Sequence, residues 1–184
     1  MARSRDAAER DTQRWLERAV IGLNLCPFAK TVHVKGLVHY AVSGARNVRA
    51  VLDDLALELE ALCAIDPSMR ETTLLIVPDC LHEFLEFNDV IGRAEALLRK
   101  KGLEGVIQLA SFHPQYRFDG TEQDDVTNFT NRSPFPVIHL LREDSIAQAV
   151  EAFPEAKTIY EANIARMRCI GRAGWDALDV GPSA

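Results

Sequence analysis

The chain has 184 residues, 47% of them hydrophobic, and a formal net charge of −6. That is enough apolar material for one domain with a core of its own. The acidic balance argues against nucleic acid or an anionic membrane surface as a partner, since either favours a basic face.

The opening, MARSRDAAERD, is polar and lacks the apolar run of a secretory signal, and no later stretch reaches the length of a membrane span. The four cysteines (Cys26, Cys63, Cys80, Cys169) are scattered without a CxxC pair. Reduced thiols in a cytoplasmic protein fit that spacing better than disulfides or structural zinc.

Residues Asp6 to Leu23 predict an amphipathic helix, with Trp15, Leu16, Ala19, Val20 and Leu23 on one stripe and Gly22 and Asn24 as terminators. Thr31 to Ser43 alternates apolar and polar residues and predicts a half-buried strand, with Gly36 as a bulge or Lys35-Gly36 as a hairpin turn. Asn47 to Cys63 predicts a second helix, closed by Asp66-Pro67. Thr72 to Pro78 is a continuous apolar run, as a strand covered on both faces requires.

Leu81 to Lys100 predicts a third helix with Phe84 and Leu85 inward, a break near Asn88 and Gly102 past its end. Val106 to Phe112 and Val137 to Leu141 predict the third and fourth strands. Ser145 to Phe153 and Thr158 to Ile170 predict two closing helices, the second with capping-box spacing at Thr158 and Glu161 and a stop at Gly171. The order implies one α/β (or α+β) domain over residues 1–184: a mixed four- to five-stranded sheet with crossover helices, frayed at 1–5 and 173–184. Strands one to three run parallel and the fourth antiparallel to a neighbour.

Between strands three and four, Ser111 to Pro136 has no apolar repeat and is bounded by His113-Pro114 and Ser133-Pro134-Phe135-Pro136. A rigid loop of this length inside a small domain points to function. Ligands of such sheets bind beyond the carboxyl ends of the parallel strands. His113 starts the loop there and suits a general base or a metal ligand, or else pins the loop to a backbone carbonyl. Arg132 suits a carboxylate or phosphate clamp, or else ties down the loop acids. Asn131 and Asn128 line the same return, with turn-capping as their plainer role. Ser43, Gly44 and Arg46 lead into a helix N-terminus suited to an anion.

Cys26 follows a helix C-terminus, whose partial negative charge disfavours a thiolate. It becomes a nucleophile only if a Lys35-Gly36 hairpin brings it to His113; otherwise it is a small buried hydrophobe beside Pro27 and Phe28. Asp79, Cys80 and His82 are weak metal candidates, so no metal is assigned. His139, inside an apolar strand, reads as a core histidine.

The segments Gly22–Ala29 (GLNLCPFA), Ser111–Pro114 (SFHP), Thr130–Pro134 (TNRSP) and His139–Glu143 (HLLRE) together resemble the bacterial domain-of-unknown-function family 1415. The resemblance spans nearly the whole chain and implies a single-domain bacterial protein of this length. It carries no activity and no catalytic residue with it.

Two readings follow. One is a small cytoplasmic enzyme acting on a small anionic ligand: Arg132 and the Gly44 turn hold the anion, and Cys26 and His113 perform the chemistry. The other is a non-catalytic module that binds a ligand or a protein through the 111–136 loop. The sequence names no cofactor.

Overall fold

The computed structural model describes residues 4–152 and 158–183. The expected helix end at Phe153 and the first three residues lie outside them. Helix α1, Arg5–Trp15, widens into a π-helical turn, Leu16–Ile21, in which Gly22 N–H donates to the Glu17 carbonyl at 2.9 Å. Asn24, at φ 52°, ends the helical path in the left-handed region, as its sequence position predicts.

The next stretch departs from expectation. Ala29–Val34 is a short helix, α2, and only Val38–Val42 forms strand β1. Leu37 N–H reaches back to the Val32 carbonyl at 3.1 Å and Gly36 N–H to that of His33 at 2.9 Å, with Gly36 at φ 68°. This is a Schellman closure, which explains why glycine stands at position 36. Alternation in Thr31–Val34 misled because one and a half helical turns are too short to reveal a period.

The remaining elements follow the apolar pattern: α3 Val48–Ala64, β2 Thr72–Ile76, α4 Phe84–Lys100, β3 Ile107–Phe112, β4 Val137–Arg142, α5 Glu143–Ala152 and α6 Ile159–Asp176. The Asn47 side chain caps α3 by accepting from Ala50 N–H at 3.0 Å. Helix α4 is unbroken at Asn88 and leaves Leu85 exposed; it starts three residues late because Leu81 sits at φ 60°. Helix α6 passes Gly171 with a kink there, φ 60° and ψ −171°, and continues for five residues.

The sheet order is β1-β2-β4-β3, with β1 and β2 parallel and β4 antiparallel to both neighbours. Strands β1, β2 and β3 thus share one direction, but β4 separates β2 from β3. Strict alternation sorts the side chains to two faces. Leu75, Val77, Ile107, Ile138 and Leu140 meet α3 and α4 in the main core, against Leu55, Leu59, Phe87 and Leu98. The opposite face presents the cross-strand row Tyr40, Leu74, His139 and Ala110. Helix α1 and the π-helical turn that follows it cover part of that face with Ala8, Trp15, Leu16, Ala19 and Val20.

The last residues, expected to fray, lie against α1. Arg14 Nε donates to the Asp179 carbonyl at 2.9 Å and Nη2 to that of Gly181 at 2.6 Å. Buried Asp11 accepts from Ser183 N–H at 2.8 Å, and Val180 packs with Trp15 and Leu16. Among the described residues no helix is long and apolar enough to cross a membrane.

Candidate functional site

On the α1 side of the sheet lies a cavity of about 320 Å³. Its floor is Val38, Leu74, Ala110, Phe112, His139 and Leu141. Trp15, Leu16 and Val20 form one wall, Cys26, Phe28, Ala29 and Val32 a second, and Ile146 and Ala149 of α5 a third. Polar groups are few: Glu71, Thr72, Arg142 and Ser145, beside His139. The cavity reaches Val38 and Thr72 at the amino ends of β1 and β2, away from the carboxyl rim where the loops converge.

One hydrogen-bonded pair interrupts the apolar floor. Thr72 Oγ1 lies 2.6 Å from the Leu140 carbonyl and 2.7 Å from His139 Nε2. The hydroxyl has one proton, and the carbonyl can only accept it. His139 Nε2 must then donate to Thr72, which assigns the tautomer and leaves the lone pair on Nδ1. Nδ1 has no hydrogen-bond partner among the described residues. Burial without a compensating charge pushes this imidazole down to about 4, so it is neutral near pH 7.

Cys26 is half-buried in the same wall. Burial pushes its thiol up, partly offset by the backbone N–H groups of Phe28 and Ala29. Arg142 Nη2 donates to the carbonyls of Leu62, Ile65 and Arg70 at 2.6, 2.7 and 3.2 Å, which ties off the end of α3. Its Nε is buried and makes no hydrogen bond among the described residues.

His113 belongs to the other face. Its Nε2 bonds the Leu81 carbonyl at 3.0 Å, its Nδ1 accepts from Gln115 N–H at 3.0 Å, and its ring packs on Phe84 and Phe87. The residue is fully buried, and burial lowers its pKa despite the Leu81 contact. Both ring nitrogens are taken by the backbone, and neither is bonded to Cys26. Cys26 and His139 line the same cavity, whereas His113 packs on the other face of the sheet.

The loop residues mostly bond to the loop itself. Fully buried Asn128 accepts from Phe118 N–H at 3.0 Å and from the Thr121 hydroxyl at 2.8 Å, and donates to the Glu122 carbonyl at 2.8 Å. Asn131 donates to the Ser111 carbonyl at 3.2 Å. Arg132 donates to the carbonyls of Gln123 at 2.5 Å and Tyr116 at 3.4 Å and stacks on Phe129 at 4.2 Å. A second hollow of about 420 Å³ opens beside Arg132, lined also by Arg172, Glu122 and Asp124, so its charges are mixed.

The remaining predicted residues lie elsewhere. Buried Ser43 donates to Asp54 at 2.5 Å and accepts from Ala45 N–H at 3.0 Å. Arg5 lies over Gly44, where an added Cβ would meet its Nη2 at 2.8 Å. Ser43 and Gly44 line an open hollow of about 440 Å³ with Asp54 and Glu58, whereas Arg46 is exposed and takes no part in it. Cys80 is buried in the main core and His82 is exposed. No group of three or more metal-ligating side chains occurs among the described residues.

A family model described as Protein of unknown function (DUF1415) matches residues 7–177. The chain belongs to the DUF1415 family. No curated protein and no solved structure matches it.

In this DUF1415 chain, three of the four segments that carry the resemblance meet at the cavity. They supply Cys26, Phe28 and Ala29; Phe112; and His139, Leu141 and Arg142. Sequence reasoning missed the pairing of Thr72 with His139. The available signal was two polar residues, each inside an apolar strand run and so in need of a buried partner.

Proposed function

We propose that the protein is a binding module for a small, largely apolar molecule, held between the sheet and helices α1, α2 and α5. The observation that carries this reading is the cavity of about 320 Å³, apolar on every wall with a few polar groups set into it. Ligand sites have this size and composition.

Catalysis by a cysteine–histidine pair has less support. His113 has both nitrogens engaged, and His139, the imidazole in the cavity with Cys26, is a poor base. Its pKa is about 4, while burial holds the thiol above its ordinary range. Proton transfer from the thiol to that imidazole is therefore strongly uphill, and His139 does not generate a thiolate near neutrality. A small anionic ligand would also lose its hydration against these walls. In the 111–136 loop, Asn128, Asn131 and Arg132 bond within the loop and to Ser111, which supports a structural part for these three side chains.

Titration with the neutral fluorophore 1-aminoanthracene tests the reading. Saturable one-to-one binding with a blue-shifted emission is expected. Ala110→Trp, which fills the floor, should abolish it while the thermal midpoint persists; Ala149→Trp, from α5, serves if the first variant does not fold. Absent saturation, or undiminished binding by a folded, filled variant, refutes the proposal.

A further inference from the structure

The geometry points to a neutral aromatic molecule carrying one hydrogen-bond donor, a phenol-like hydroxyl or a ring N–H, whose donor lies on His139 Nδ1. This rests on the cavity reading above and names the ligand class. The first ground is size. An engineered apolar cavity of about 150 Å³ takes benzene, and the space here, about 320 Å³, is roughly twice that. A bicyclic aromatic of about ten heavy atoms fits such a volume.

The second ground is the polarity of the part-buried pair formed by Thr72 and His139 at the cavity. Thr72 gives its proton to the Leu140 carbonyl and receives that of His139 Nε2. Nδ1 is left as an acceptor without a protein partner among the described residues, in a residue that lines the cavity. An acceptor so placed selects a donor, since a ligand lacking one leaves it unpaired. The neutral state of the ring offers a carboxylate neither charge nor proton. The third ground is the lining: Trp15 and Phe28 in the walls and Phe112 in the floor supply aromatic surface for a flat guest.

The test is competition against bound 1-aminoanthracene at pH 7 by 2-naphthol, 2-methoxynaphthalene and 2-naphthoate. The first two share a ring system and differ in the donor. We expect 2-naphthol to bind roughly fivefold or more tightly than the methyl ether, with 2-naphthoate weakest. His139→Phe should erase the preference and keep affinity for the ether. Nitrogen-15 NMR of the wild-type protein supplies a readout that does not depend on that variant folding: the Nδ1 resonance should move with 2-naphthol and stay with the ether.

Equal affinities, a preference that survives in His139→Phe, an unmoved Nδ1 resonance, or tightest binding by 2-naphthoate would each overturn the ligand class. The last result would point to the unpaired Arg142 Nε instead. If neither neutral naphthalene displaces the probe, or the probe itself does not bind, the cavity reading falls and this inference with it.

Discussion

Phe112 and His113 are adjacent in the chain and serve opposite faces of the sheet. The Phe112 ring packs on Trp15 with centroids 5.1 Å apart, and the His113 ring packs on Phe87, also at 5.1 Å. The single step in strand parity that separates them also separates His113 from Cys26. His113→Ala should therefore leave the alkylation rate of Cys26 unchanged. The same change strands the Leu81 carbonyl and Gln115 N–H and should cost about 2 kcal/mol in urea unfolding. A large drop in Cys26 reactivity with full stability would restore the catalytic pair.

Iodoacetamide reactivity of the four thiols at pH 7.5 should rank Cys63 and Cys169, both exposed, well above Cys26. Burial raises the Cys26 pKa and limits access, and a tenfold or greater lag is a reasonable scale. Mass spectrometry of the time course reads the order directly. Fastest labelling at Cys26 would contradict the environment described.

His139 couples stability to pH. Its folded pKa of about 4 lies below the ordinary value near 6.5, so between those values the unfolded chain binds the extra proton. Its contribution is complete above pH 6.5 and is lost as pH falls towards 4, by about 3 kcal/mol in all. The difference in urea stability between wild type and His139→Gln isolates this from the carboxylates. A difference that does not vary from pH 7 to 4 would show that the imidazole is not held neutral.

The C-terminal segment acts as a strap on α1. Truncation after Ala177 removes the carbonyls held by Arg14 and uncovers the apolar patch around Val180. A loss of roughly 2–4 kcal/mol is expected from the apolar area and the orphaned hydrogen bonds. An unshifted urea midpoint would mean that these contacts contribute nothing.

Asn128 is the pin of the long loop. Asn128→Ala leaves Phe118 N–H without its acceptor in a part-buried place and should cost about 2 kcal/mol. Hydrogen exchange should accelerate across residues 115–128 and stay unchanged in β2. Uniform exchange across both would mean that the loop unfolds with the sheet.

The sequence alone was enough for whatever repeats locally. Helix α3 shows its buried stripe at Val51, Leu55, Leu59 and Leu62, β2 its unbroken apolar run, and Gly102 its helix end, because each signal spans a few residues of one element. The mixed sheet followed from the order of those elements.

Short α2 was ambiguous for the opposite reason. A turn and a half fits both periods, and Gly36 reads as a hairpin or a bulge until the Leu37–Val32 hydrogen bond is seen. The cavity was beyond local reading altogether. It exists because register aligns Tyr40, Leu74, His139 and Ala110 on one face and because α1, α2 and α5 close over that face incompletely. Thr72 and His139 are 67 residues apart, and only tertiary packing makes one the partner of the other.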